Sequence, residues 1–217
     1  SKRKKILEAY AKCVESLSGR FVTGADVGIS RHDVRFMRKY TRYMVGIKND
    51  PVIYTAIGIL YAIEVCLQEV FCNSGIAGRS FAIQGLGKIG MALLKQLYSR
   101  GGVIYVSETN QSILKKSKKH FPNIRIVPTA TIHKKKVDVF CPCALSNVIT
   151  RKNISELNCK IIAGGANNQL ESDAVATLLR KRGILYAPDY IVNAGGLISV
   201  VDEYEHIHHS PTRVERK

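Results

Sequence analysis

Residues 80–108 carry the pattern that most restricts how this chain can fold. A short apolar run (SFAIQ) is followed by a glycine-rich turn (GLGKIG), an amphipathic stretch, a second apolar run (VIYVS) and an acidic residue, Glu108. Strands that close antiparallel need only a tight turn. Two apolar strands separated by a helical crossover lie parallel instead, with the crossover covering one face. The alternation continues downstream. Apolar runs at residues 81–84, 103–107, 124–127, 137–140, 161–163 and 184–186 predict a parallel sheet buried on both faces.

Gly85, Leu86, Gly87, Lys88, Ile89 and Gly90 spell G-x-G-x-x-G. The pattern alone is weak, but here a strand leads in, a helix leads out, and a second strand ends on a carboxylate. In this setting Gly85 permits the tight turn, Gly87 lets backbone approach a pyrophosphate, and Gly90 lets helix and strand pack closely. The helix N-terminus offers unpaired N–H groups and partial positive charge. Glu108 would accept the adenosine ribose hydroxyls and repel a 2′-phosphate, so the expected cofactor is NAD rather than NADP. The competing reading is a glycine turn that only packs a helix on a sheet. The predicted class is α/β, a Rossmann-type doubly wound parallel sheet, with a separate segment before it.

That segment opens with a predicted helix over residues 2–17, whose apolar stripe is Ile6, Tyr10, Val14 and Leu17, with Gly19 at its C-cap. Residues 20–23 read as a short strand. Ser30 with Asp33 three positions later is a capping box. Asp50 followed by Pro51 opens a long helix with Ile53, Ile57, Leu60, Ile63, Leu67 and Phe71 on its apolar face. The expected division is 1–49 as this segment, 50–205 as the nucleotide domain and 206–217 as a polar tail.

Composition excludes several classes. With 46% apolar residues, the chain is of ordinary globular type. No uninterrupted apolar stretch reaches the roughly eighteen residues of a membrane span, and the basic N-terminus runs into no signal-peptide core, so a cytoplasmic protein with no membrane partner is expected. Six cysteines, at 13, 66, 72, 141, 143 and 159, show no CxxC pair or zinc spacing and read as reduced thiols. His206, His208 and His209 match no familiar ligand spacing, so no metal is expected. The net charge of +16 attracts polyanions. Its lysines and arginines are dispersed without interleaved aromatics, which favours solvated faces over a specific nucleic-acid surface.

Four stretches together resemble a known family: residues 19–28 (GRFVTGADVG), 83–90, 138–145 (DVFCPCAL) and 161–203, which contains GGANNQL and YAPDYIVNAGGLISVVDE. The chain is similar to the leucine/phenylalanine/valine branch of the amino-acid dehydrogenases, which implies that residues 1–49 are a remnant of an N-terminal substrate domain. The resemblance implies NAD-dependent oxidative deamination of a branched or apolar L-amino acid to its 2-oxo acid, in the manner of a leucine dehydrogenase, by a possible homo-oligomer. It implies that Asp26 is the catalytic carboxylate, that Thr55, Ala144, Leu145, Asn167 and Asn193 line the nicotinamide and substrate end, and that Leu197 and Val200 shape the side-chain pocket. The family's two essential lysines would lie before Ser1. Residues 1–217 alone are therefore expected to turn over little substrate while still binding NAD; the alternative is a non-catalytic NAD-binding module.

Overall fold

The computed structural model describes residues 2–24, 28–46, 50–206 and 211–216. Contacts divide the chain into two units, Val52–Gly195 on one hand and Ser1–Pro51 with Gly196–Lys217 on the other.

All six apolar runs form strands of one sheet in the Val52–Gly195 unit: β1 (Ser80–Gln84), β2 (Val103–Ser107), β3 (Arg125–Ile126), β4 (Val139–Pro142), β5 (Ile161–Ile162) and β6 (Leu185–Tyr186). Every pairing is parallel, in the order β3-β2-β1-β4-β5-β6. The doubly wound expectation is met. Sheet growth reverses between β1 and β4, which opens a crevice at the carboxyl ends of these strands. The fourth strand starts two residues later than its apolar run, because Val137 N–H bonds the Asn158 carbonyl outside the ladder.

Alternation along the strands explains both faces. Phe81 and Ile83 point to one side and pack with Leu93, Leu94 and Leu97 of α4 (Lys88–Ser99) and with Ile59, Ile63 and Leu67 of α3 (Pro51–Phe71). Ala82, Phe140 and Ile162 point to the other, against Val175 and Leu179 of α6 (Asp173–Lys181). Each such apolar side chain contributes about 1.5–3 kcal/mol on full burial. By length and hydropathy α3 would also be able to cross a membrane. Its Ile59, Ile63 and Leu67 are instead fully buried core residues, while Ile53, part of the expected apolar face, is exposed.

In the other unit, α1 (Lys2–Ser16) buries Leu7, Ala11 and Val14, the first two against Val34 and Met37 of α2 (Arg31–Met37) and against Met44. This corrects the expected stripe: of Ile6, Tyr10, Val14 and Leu17 only Val14 is buried. The sequence offers two faces about 100° apart, and the one with Ala11 permits the closer helix approach. Ile6 and Tyr10, with Phe21, line a groove of about 530 Å³ instead. The capping box forms as expected, with Ser30 Oγ accepting from Asp33 N–H (3.2 Å) and Asp33 accepting from Ser30 N–H (2.9 Å). Arg3 and then Ser30 hold the Asp33 carboxyl well below the usual range. Residues 20–23 form no strand; a single bridge joins Thr23 to Met44.

Gly196–Lys217 groups with this unit rather than with the nucleotide unit, so the division differs from the expected 50–205. Part of the expected polar tail is helical. In α9 (Pro211–Glu215), Val214 is buried and Arg213 Nε donates to Asp202 Oδ1 at 2.5 Å on α8 (Gly195–Glu205).

Candidate dinucleotide site

The ladder runs one residue past the strands at the crevice. Gly85 N–H donates to Ser107 O, and Cys143 N–H to Gln84 O, both at 2.8 Å. The chain then turns sharply, with Gly85 at φ +93°, where a Cβ would stand 2.6 Å from that of Ala144. A Cβ at Gly90 would overlap the Gly85 carbonyl oxygen, so strand end and helix touch through backbone. Gly87 is the opposite case. Nothing lies within 4 Å of a Cβ placed there, and no side chain caps α4 at this position. The first amide of that turn to find a helical acceptor is Met91, bonded to Gly87 O. The unpaired amides of Lys88, Ile89 and Gly90 leave a partial positive charge that favours an anion.

Leu86 is buried and donates its N–H to Glu108 Oε2 at 2.8 Å. Glu108 Oε1 accepts from Thr109 N–H (2.7 Å), Asn110 N–H (3.0 Å) and the Thr109 hydroxyl (3.1 Å). Burial pushes this carboxyl up, but the bonds from Asn110, Leu86 and Thr109 outweigh it and hold it below the usual range. Glu108 is thus a carboxylate at neutral pH that clamps the glycine loop to the end of β2. Oε1 is fully engaged, whereas Oε2 has one donor and room for another.

The positions assigned to the nicotinamide end come from four segments of the same unit. Ala144 and Leu145 are exposed after β4. Asn167 follows β5 and accepts a 2.6 Å hydrogen bond from Asn193 Nδ2. Asn193 ends the short helix α7 (Asp189–Val192). Thr55 lies in the first turns of α3, where a Cβ on Gly195 would meet its backbone nitrogen at 3.4 Å. Gly165 brings the β5 loop against α4 and α3, since a Cβ there would stand 2.5 Å from Ile89 Cγ2 and 2.8 Å from Ile59 Cδ1. Leu197 and Val200 are on α8, the first exposed and the second half-buried. Asp26 lies outside the described residues.

Sequence reasoning gave no role to Gln169 or Asp189, although both stand inside the quoted motifs. Gln169 is fully buried and donates to Gly164 O (2.8 Å) and Ala166 O (2.9 Å), which shapes the loop presenting Asn167. A glutamine next to an Asn-Asn turn was the available signal.

The glutamate/leucine/phenylalanine/valine dehydrogenase family matches over residues 103–209, from β2 to beyond α8. The chain belongs to this family. Phenylalanine dehydrogenase of Lysinibacillus sphaericus is 39% identical over 208 residues, covering 91% of this chain and 55% of the relative. Leucine dehydrogenase of Thermoactinomyces intermedius is 33% identical, covering 93% of this chain and 57% of its own length. The crystal structure of L-tryptophan dehydrogenase from Nostoc punctiforme superposes with a TM-score of 0.82 at 36% identity, over 98% of this chain and 62% of that one. The chain thus spans a little over half the length of the curated dehydrogenases it matches.

Proposed function

We propose that this chain is the NAD-binding part of an amino-acid dehydrogenase acting on an apolar L-amino acid. One observation carries the reading: the open backbone at Gly87 above the unpaired amides of α4, with the Glu108 carboxylate fixed beside it. This cradle fits a dinucleotide. The Lys88, Ile89 and Gly90 amides would take the diphosphate, and the remaining lone pair of Glu108 Oε2 a ribose hydroxyl. Bound NAD would supply the hydride acceptor. The chain's own residues would hold the cofactor, with Ala144 filling the space against Gly85, and Asn167, Asn193 and Thr55 would orient its far end.

Oxidative deamination of leucine, phenylalanine or a similar amino acid is supported by the names of the relatives and by Leu197 and Val200. A pocket of that kind separates such substrates by only about 1–3 kcal/mol per methylene. Asp26 is proposed as the proton-shuttling carboxylate. A homo-oligomer and a cytoplasmic location belong to the same proposal; the latter rests on cysteines that are all free thiols. The test is calorimetric titration with NAD and NADP. NAD should bind with clear preference over NADP, and folded protein without affinity for NAD or NADH would overturn the reading. In residues 1–217 alone, turnover of leucine, phenylalanine or tryptophan should be slow, because positioned acid–base groups each contribute roughly 10²- to 10⁴-fold.

A further inference from the structure

Asp189 occupies an unusual position between the two asparagines at the far end of the crevice. Its Oδ2 accepts the Asn168 N–H at 2.7 Å, and its Oδ1 accepts the Tyr186 hydroxyl at 2.8 Å. Its own main-chain carbonyl accepts the Asn193 N–H at 2.9 Å. One residue therefore fastens both the loop that presents Asn167 and the segment that presents Asn193. The loop needs such a restraint. Asn168 lies at φ +50°, in the left-handed region that asparagine tolerates but does not strongly prefer. Apart from this carboxylate, it is held through its carbonyl by Asn147 N–H at 2.7 Å. Burial and then the Asp189 carboxylate push the Tyr186 phenol up, so it stays a hydrogen-bond donor across the physiological range.

We propose that Asp189, supported by Tyr186, is a positioning residue that sets the register of Asn167 against Asn193, so that their joined amides meet the carboxamide end of the cofactor. The proposal rests on the dinucleotide reading above. The Asn193 Nδ2 to Asn167 Oδ1 bond uses one donor and one acceptor. It leaves the Asn167 NH₂ and the Asn193 carbonyl oxygen, a donor and an acceptor side by side, which is the complement of a primary carboxamide. If Asn168 shifts, this pairing is lost while the glycine loop and Glu108 are untouched.

The experiment compares two ligands on the full chain. NADH carries the nicotinamide, and ADP-ribose has the same diphosphate and both riboses without it. In Asp189→Ala, the acceptors for the Asn168 N–H and for the Tyr186 hydroxyl are both lost. This variant should weaken NADH by about tenfold, the worth of one well-made polar contact, and change ADP-ribose by less than about twofold. Tyr186→Phe, which keeps the Asn168 bond, should move NADH in the same direction by less, and it serves as the test if the aspartate variant does not fold. A merely structural role would lower both affinities together or only the melting temperature, and that result overturns the proposal. Failure of the unsubstituted chain to bind either ligand overturns the dinucleotide reading and this proposal with it.

Discussion

Gly85→Ala isolates the tightest point of the nucleotide loop. At φ +93° an alanine is strained, at about 1–2 kcal/mol for a left-handed L-residue. Its Cβ would also stand 2.6 Å from the Ala144 Cβ, well inside van der Waals contact, and overpacking of this kind costs typically 1–3 kcal/mol. Restricting the unfolded chain returns about 0.4–1 kcal/mol. The net is a destabilisation of about 1–4.6 kcal/mol, or a fall of roughly 2–18 °C in melting temperature for a chain of this size. Gly183→Ala is the control. It has φ +67° with nothing within 4 Å of its Cβ, so only the conformational cost applies. Thermal melts followed by circular dichroism should rank Gly85→Ala well below Gly183→Ala, and adding Ala144→Gly should restore only part of the difference, because the Cα and N of residue 144 remain 3.1 and 3.2 Å from the new Cβ. If the two single variants melt together, the close approach of the β1 and β4 loops is wrong.

Glu108→Gln loses acceptors for the glycine-loop and β2-end amides. The native carboxyl titrates below its unfolded value, so its stabilisation is present above pH about 4.3 and lost as pH falls through the depressed folded value. Urea unfolding should therefore show a larger wild-type advantage at pH 7 than at pH 3, and the variant should also discriminate less against NADP; equal differences at both pH values would refute the clamp. For the thiols, Cys13 and Cys72 are exposed, while burial pushes Cys143 up to about 11 and Cys159 up to about 12. A thiol reagent at pH 8 should modify Cys13 and Cys72 quickly, the half-buried Cys143 more slowly because its thiol is held protonated, and Cys66, Cys141 and Cys159 only on unfolding, as mass spectrometry of labelled peptides will show. Ser30→Ala removes the N-cap of α2 and should cost about 0.5–2 kcal/mol in chemical denaturation; an unchanged midpoint would mean that Asp33 alone holds the turn.

The nucleotide half was legible because its determinants are local. The glycines at 85, 87 and 90 declare their roles by spacing, and the six apolar runs are short enough to be strands and nothing else. Ser30 and Asp33 are three residues apart and bond as that spacing requires. What stayed hidden depends on partners far along the chain. The choice between the Ile6 and Leu7 faces of α1 is made by Val34, Met37 and Met44. Asp189 reaches Asn168 across 21 positions, and no local pattern announces that bond. The second duty of Glu108, gripping Leu86 N–H, was invisible for the same reason, although its place at the end of β2 was not. Residues 20–23 looked like a strand from composition, but a single pairing with Met44 is all they make.

A Cβ on Gly195 would run into the Tyr54 carbonyl, and one on Gly58 would stand 3.2 Å from Val192 O. The sheet-bearing unit therefore begins and finishes at the same spot, with its first and last segments in direct backbone contact. Such a module behaves topologically as an insertion. Its two ends can be joined by a few glycines and new ends opened at an exposed turn such as the one around Gly101, giving a circular permutant whose strand order in space is unchanged.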